Sequence, residues 1–263
     1  GKSISVEEYN AACRKDVMKY TKEWESLTHK MGYWVDMNHP YITYDNKFIE
    51  SIWWLLKELY NKNLLYKGYT IQPYSPAAGS GLSSHELNQP GCYKDVKDTT
   101  VVAQFEIDNP IAELTQFGKA YFLAWTTTPW TLPSNTALCV GATITYVAVQ
   151  TYNPYTFEPQ TVILAKDLVS AHFNGKASSL SLSEYTAGDK LIPYSIIAEY
   201  KGSELVGMTY KQLIPFFKPD EGAFSVISGD FVTTEDGTGI VHIAPTFGAD
   251  DERKEKMNNI PAM

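Results

Sequence analysis

The apolar residues of this chain change period near residue 68, and that change limits the fold more than any other feature. Before it, Val6, Tyr9, Cys13, Val17, Tyr20, Trp24 and Leu27 recur every three or four positions behind Ser5 and Glu8, whose spacing has the form of a capping box. This predicts one long amphipathic helix. A second pattern after Asp45 puts Ile49, Ile52, Trp53, Leu56, Leu59 and Tyr60 on one stripe and stops near Gly68. From Tyr69 the stretch TIQPYSPAAGSGLSS is rich in the Pro, Gly and Ser of turns. Short runs of β-forming residues follow at Thr99–Glu106, Tyr121–Thr127, Ala137–Val140, Tyr146–Thr151, Thr161–Ala165, Phe231–Thr234 and Ile240–Ala244. Short helices are expected around Ala165–Phe173 and after Gly207. Residues 1–68 thus form a helical segment, 69–98 a connection and 99–263 a β-rich domain. The fold class expected is α+β, with many short strands closing into a barrel or packing as a sandwich.

With 44% hydrophobic and 20% charged residues in 263, the chain can bury a sizeable core. No apolar run approaches the ~20 residues that cross a bilayer, and no signal-peptide pattern opens the chain, so a cytoplasmic location without membrane contact is expected. The net charge of -8 argues against a free-standing nucleic-acid binder. Cys13, Cys92 and Cys139 form no CxxC pair, and His29, His39, His85 and His172 are scattered. No metal site is expected.

Two stretches concentrate polar chemistry. Thr126, Thr127, Thr128, Pro129, Trp130, Thr131, Leu132, Pro133, Ser134 and Asn135 make a strand that stops at a rigid turn, where hydroxyls and free N–H groups can hold an ester carbonyl or ribose. The ordinary alternative is Thr in a strand and Pro in a turn. Further on, Asp236-Gly237 turns into a strand in which His242 lies opposite Val241 and Ile243, and Asp250 and Asp251 precede a charged run. Alone, His242 reads more readily as a structural histidine, and the two aspartates as a solvated loop or a helix N-cap.

Together, TTTPWTLPSN and GTGIVHIAPTFGADD resemble the editing-domain motifs of the isoleucyl-tRNA synthetases, a family of class I aminoacyl-tRNA synthetases. The segment from Trp34 to Tyr69 is similar to the family's passage from its catalytic core into that inserted domain. Valine and leucine enzymes carry Arg at the position of Thr128 and lack Trp130, so the likeness falls with the isoleucine branch. The resemblance implies a β-barrel editing domain preceded by a helical segment from the core junction, and it implies that the domain continues past Met263. HIGH and KMSKS motifs are absent, and Ser75-Pro76-Ala77-Ala78-Gly79 stands where many members have CPRCG. ATP and Mg would therefore belong only to the full-length enzyme.

The implied reaction is hydrolysis of valine from the 3′ end of the isoleucine tRNA. As is established for isoleucine enzymes, one methylene is worth only about 1–3 kcal/mol, so a second pocket that excludes by size is needed. The resemblance assigns Asp251, or its neighbour Asp250, to the substrate's α-ammonium group. It places Thr127, Thr128 and Thr131 at the ester and ribose, and His242 at the amino-acid side chain. Thr126, Trp130 and Asn135 would complete the contacts. A positioned water is sufficient as nucleophile, and the remaining synthetase chain would supply the phosphate contacts. Other readings are a non-hydrolytic module that holds the tRNA end, an editing domain of a valine or leucine enzyme, and a small esterase.

Overall fold

The computed structural model describes residues 4–68, 70–219, 221–258 and 260–261. It divides into two units, Gly1–Gly68 and Tyr69–Met263. Tyr69, where the connection is expected to begin, and Met263 lie outside the described residues.

The first unit carries helices α1 (Val6–Val17), α2 (Thr21–Lys30) and α3 (Asn46–Asn61). Ser5 and Glu8 cap α1 reciprocally, as their spacing predicts. The single long helix expected is two helices, broken at Met18–Tyr20. There the Thr21 hydroxyl donates to the Met18 carbonyl at 2.7 Å, a side-chain bond that competes with the helical ladder. Asp45 caps α3 by accepting from the Lys47 N–H. No residue of these helices is buried.

The second unit opens with the hairpin β1 (Tyr74–Ser75) and β2 (Ser80–Gly81) and the single turn α4 (Ser84–Leu87). Strands β3 (Val101–Glu106), β4 (Lys119–Thr126), β5 (Ala137–Val140), β6 (Thr145–Tyr152) and β7 (Pro159–Ala165) follow. After α5 (Val169–His172) come β8 (Ser195–Lys201), α6 (Gly202–Leu205), β9 (Ser225–Ser228), β10 (Ile240–Ile243) and α7 (Ala249–Asn258). One sheet has the order β3-β4-β7-β6-β8 and the other β10-β5-β9; the β4–β7 and β5–β9 pairs are parallel. Alternation sends Phe105, Phe122, Ala124, Ile163 and Ala165 of the larger sheet into a core shared with Leu138, Val140 and Ile240 of the smaller one. Leu123, Val147, Val149, Val162 and Leu164 point to the opposite face, under Val169.

The expected barrel does not close among the described residues. The sheets stay open, and their rims meet through the isolated bridges Ile107–Tyr210 and Thr209–Ser225. The chain between β8 and β9 carries Pro215 and Pro219, which cannot donate to a ladder, and β9 and β10 are only four residues long. Continuous pairing around a cylinder needs longer strands with full edges. Two smaller expectations are also corrected. Phe231–Thr234 is turn and coil rather than strand, and the helix expected after Gly207 instead precedes it as α6. Gly207 has φ +87°, a backbone state that ends a helix.

The turn into β10 is pinned from two sides. The buried Tyr146 hydroxyl donates to the Gly239 carbonyl at 2.6 Å and accepts from the Gly141 N–H at 2.9 Å. Gly239 has φ +73°, and a Cβ there would stand 2.4 Å from the Ala165 Cβ. Gly239→Ala should therefore cost about 1–3 kcal/mol through backbone strain and overpacking. Urea denaturation measures it, and an unchanged midpoint would mean that this turn is not held as described.

Candidate functional site

β4 ends at Thr126, and Pro129 begins a 3₁₀ turn over Pro129–Ser134. Proline disfavours a helical residue before it and is favoured at the start of a turn, so Thr128 stays outside the helical region, at φ -123° and ψ 66°, and the chain then winds sharply. In a 3₁₀ turn, side chains three apart eclipse. Accordingly the Thr128 and Thr131 hydroxyl oxygens lie 3.4 Å apart, with the Thr126 hydroxyl 3.3 Å from that of Thr128. Thr126 Oγ1 also accepts from the Thr128 N–H at 3.0 Å, so a side chain sets the angle at which the strand leaves the sheet.

β10 runs antiparallel to β5, with His242 opposite Leu138. This carries His242 to Thr131, whose hydroxyl oxygen is 3.2 Å from its Nε2. Thr131 donates its one proton to the Thr128 carbonyl at 2.8 Å. Nε2 must then carry hydrogen and donate to Thr131, which leaves Nδ1 as a bare, buried acceptor without a partner. Burial pushes the His242 pKa down to about 4, so the ring is neutral near pH 7.

The first turn of α7 brings in Asp251. Its Oδ2 accepts from the Ala244 N–H at 3.0 Å, joining the helix to the end of β10. Burial raises the Asp251 pKa above the usual carboxylate value, the Ala244 N–H opposes that rise, and the charge of Asp250 adds to it. A half-buried carboxylate that forms no ion pair among the described residues is poised to take up a cation.

These groups meet in a cavity of about 390 Å³ lined by Thr126, Thr127, Thr128, Trp130, Thr131, His242 and Asp251. The Thr127 hydroxyl has no hydrogen-bond partner among the described residues and is free for a ligand. Asp250 is exposed and is not in the lining. Asn135 is likewise outside it and works as a clamp. It donates to the Ala137 carbonyl at 2.8 Å and accepts from the buried Tyr210 hydroxyl at 2.7 Å. The cavity also has walls that sequence reasoning did not single out: Trp125, Val241, Ala244 and Phe247. Phe247 lies within the stretch that carried the resemblance, whereas the part played by Ala244 is a backbone N–H that no side chain announces.

Among the described residues, no helix is long and apolar enough to cross a membrane. Residues 1–234 match the family of class I tRNA synthetases for isoleucine, leucine, methionine and valine. Over its whole length the chain is 74% identical to an isoleucine–tRNA ligase of Bacteroides fragilis, of which it covers 23%. It is 70% identical to that of Porphyromonas gingivalis, again covering 23% of the relative. Across 98% of the chain it is 43% identical to the Clostridium tetani ligase, covering 22% of that protein. The chain therefore spans under a quarter of the length of the curated relatives it matches. Among solved structures, the editing domain of the P. knowlesi cytosolic leucyl-tRNA synthetase overlaps 61% of this chain and 64% of its own, at a TM-score of 0.43 and 12% identity.

Proposed function

Because the chain belongs to the class I tRNA synthetases, in their isoleucine–tRNA ligase branch, we propose that its second unit hydrolyses valine from mischarged isoleucine tRNA. The observation that carries this reading is the meeting, in one small cavity, of a half-buried carboxylate with a row of threonine hydroxyls.

An aminoacyl ester brings an α-ammonium group, an ester carbonyl and a ribose. Asp251 is the carboxylate in the lining, and it takes the ammonium, which draws its pKa back down. Thr127 offers a hydroxyl not committed elsewhere, so it binds the ester or the attacking water. Thr128 and Thr131 hold each other, and Thr131 holds His242. That network fixes the wall against which an amino-acid side chain must fit, and size discriminates here because steric exclusion is harsher than a missing attraction. A neutral His242 also avoids placing a second cation near the ammonium. Water is a sufficient nucleophile for an activated ester, so no protein nucleophile or cofactor enters the step. Cys139 is buried, with its thiol pushed up to about 12, which suits a structural thiol.

The net charge of -8 fits this reading if the unit grips only the terminal nucleoside and the amino acid. Phosphate contacts then fall to the rest of the synthetase. The test is release of radiolabelled amino acid from valine-charged and isoleucine-charged isoleucine tRNA. Selective loss of valine supports the proposal; equal loss of both, or of neither, sinks it.

A further inference from the structure

A second cavity, of about 740 Å³, lies on the outer face of the larger sheet and shares no residue with the threonine cleft. Its volume is in the range that takes up small organic ligands. Leu123 and Val162 supply apolar floor, and Gln104, paired with Leu123 in the β3–β4 register, stands beside them. Gln160 also lines it. This residue is only 5% exposed, yet its carboxamide has no hydrogen-bond partner among the described residues. Its amide atoms are not among the buried unpartnered ones, so the carboxamide opens on the cavity, where a ligand can pair with it in place of water.

The other polar groups of the cavity are mostly spoken for, which narrows what is read there. Thr151 donates to the Pro193 carbonyl and Tyr152 to the Leu182 carbonyl, so both serve as wall. Gln104 Oε1 accepts from Asn153 at 3.2 Å, which leaves its NH₂ to donate. His172 Nε2 is 2.7 Å from the Gly237 carbonyl and so donates to it, leaving Nδ1 as an acceptor. The same Asn153 accepts from the Tyr155 and Thr156 N–H groups, and Phe157 is held at φ +61°. Tyr155, tied to Asn153 through its N–H, lines the cavity at this hairpin tip. In a chain of net charge -8, the lining includes no carboxylate and does include Lys190, which forms no ion pair among the described residues.

We infer that this cavity binds an adenine nucleotide, with the Gln160 carboxamide on the base and Lys190 on the phosphate. A free carboxamide matches the donor–acceptor pair of adenine N6 and N7, the apolar floor and Tyr155 suit the faces of the ring, and the cation at the rim suits an anion. The nucleotide is either free or part of an RNA strand. The inference stands independently of the hydrolysis proposed for the threonine cleft.

The test is titration of the 263-residue chain with AMP, adenosine and a single-stranded adenosine trinucleotide, followed by calorimetry and by the Gln160 side-chain amide signals in NMR. AMP is expected to move those signals, and Gln160→Leu, close in volume and compatible with the apolar floor, should weaken AMP about tenfold. Lys190→Ala should reduce AMP to the affinity of adenosine. Tighter, Gln160-dependent binding of the trinucleotide assigns the site to RNA, and equal or weaker binding assigns it to free nucleotide; both support the inference. Signals that stay still at millimolar AMP in the wild-type chain would overturn it. Shifts confined to Thr126–Thr131 and His242 would overturn it equally, by placing the nucleotide in the cleft.

Discussion

Asp251→Ala is expected to remove nearly all hydrolysis of valine-charged tRNA. Breaking a desolvated ammonium–carboxylate pair costs about 2–5 kcal/mol, or roughly 30- to 5000-fold in kcat/KM. Asp251→Asn separates function from folding. Burial raises the folded-state pKa of Asp251 above its unfolded value. A carboxyl shifted that way favours folding only while protonated, and its contribution is lost as the pH rises through the shifted value. Near pH 7 the charge is therefore a burden on the fold. The asparagine oxygen can still accept from the Ala244 N–H that Oδ2 now meets at 3.0 Å. Asp251→Asn should thus unfold at the same or a higher urea concentration while hydrolysing as poorly as the alanine variant. Full activity in Asp251→Asn would show that the charge does not hold the substrate. Lost activity together with lost stability would show that the residue is structural. In the wild type, activity should fall in acid as this carboxyl protonates.

The change of period at residue 68 was legible because it is a local pattern, and the two units part at that residue. The stop of β4 at a rigid turn was legible for a similar reason, because Pro129 and Pro133 restrict a short segment whatever surrounds it, whereas the eclipsing of Thr128 and Thr131 came from the structure. Strand β9 was not legible. It is four residues long, and its register comes from pairing with β5 across some eighty-five intervening residues. β8 escaped notice because it is an edge strand, irregular where it passes Ala148 and Val149, with no clean alternation of buried and exposed residues. Phe231–Thr234 misled in the other direction. Its residues favour strands, but Gly229 and Asp230 turn the chain just before it, and Asp230 is held by Lys254 at 3.1 Å. Closure of the sheets depends on how far short strands can reach around a core, which composition does not encode. At the site, His242 and Asp251 were proposed through the likeness to the editing-domain motifs, since each alone also reads as structural, whereas the Ala244 amide came only from three dimensions.

Acid should destabilise the wild-type chain more than a His242→Gln variant. The buried ring titrates at about 4 when folded and near 6.5 when unfolded. A histidine lowered in the folded state contributes stability that is fully present above about 6.5 and is lost as the pH falls towards 4, because the unfolded chain takes up the proton first. The gap corresponds to about 3 kcal/mol, most of it spent by pH ~4.5. Glutamine can donate to Thr131 as Nε2 does, but it does not titrate. Urea midpoints of both proteins at pH 7.5 and 4.5 isolate the effect, since every carboxylate is common to the two. Parallel losses would mean that His242 is solvated and charged in the folded chain. In that case the cavity would hold an imidazolium beside the ammonium of its proposed substrate, and the neutral wall invoked for discrimination by size would not exist.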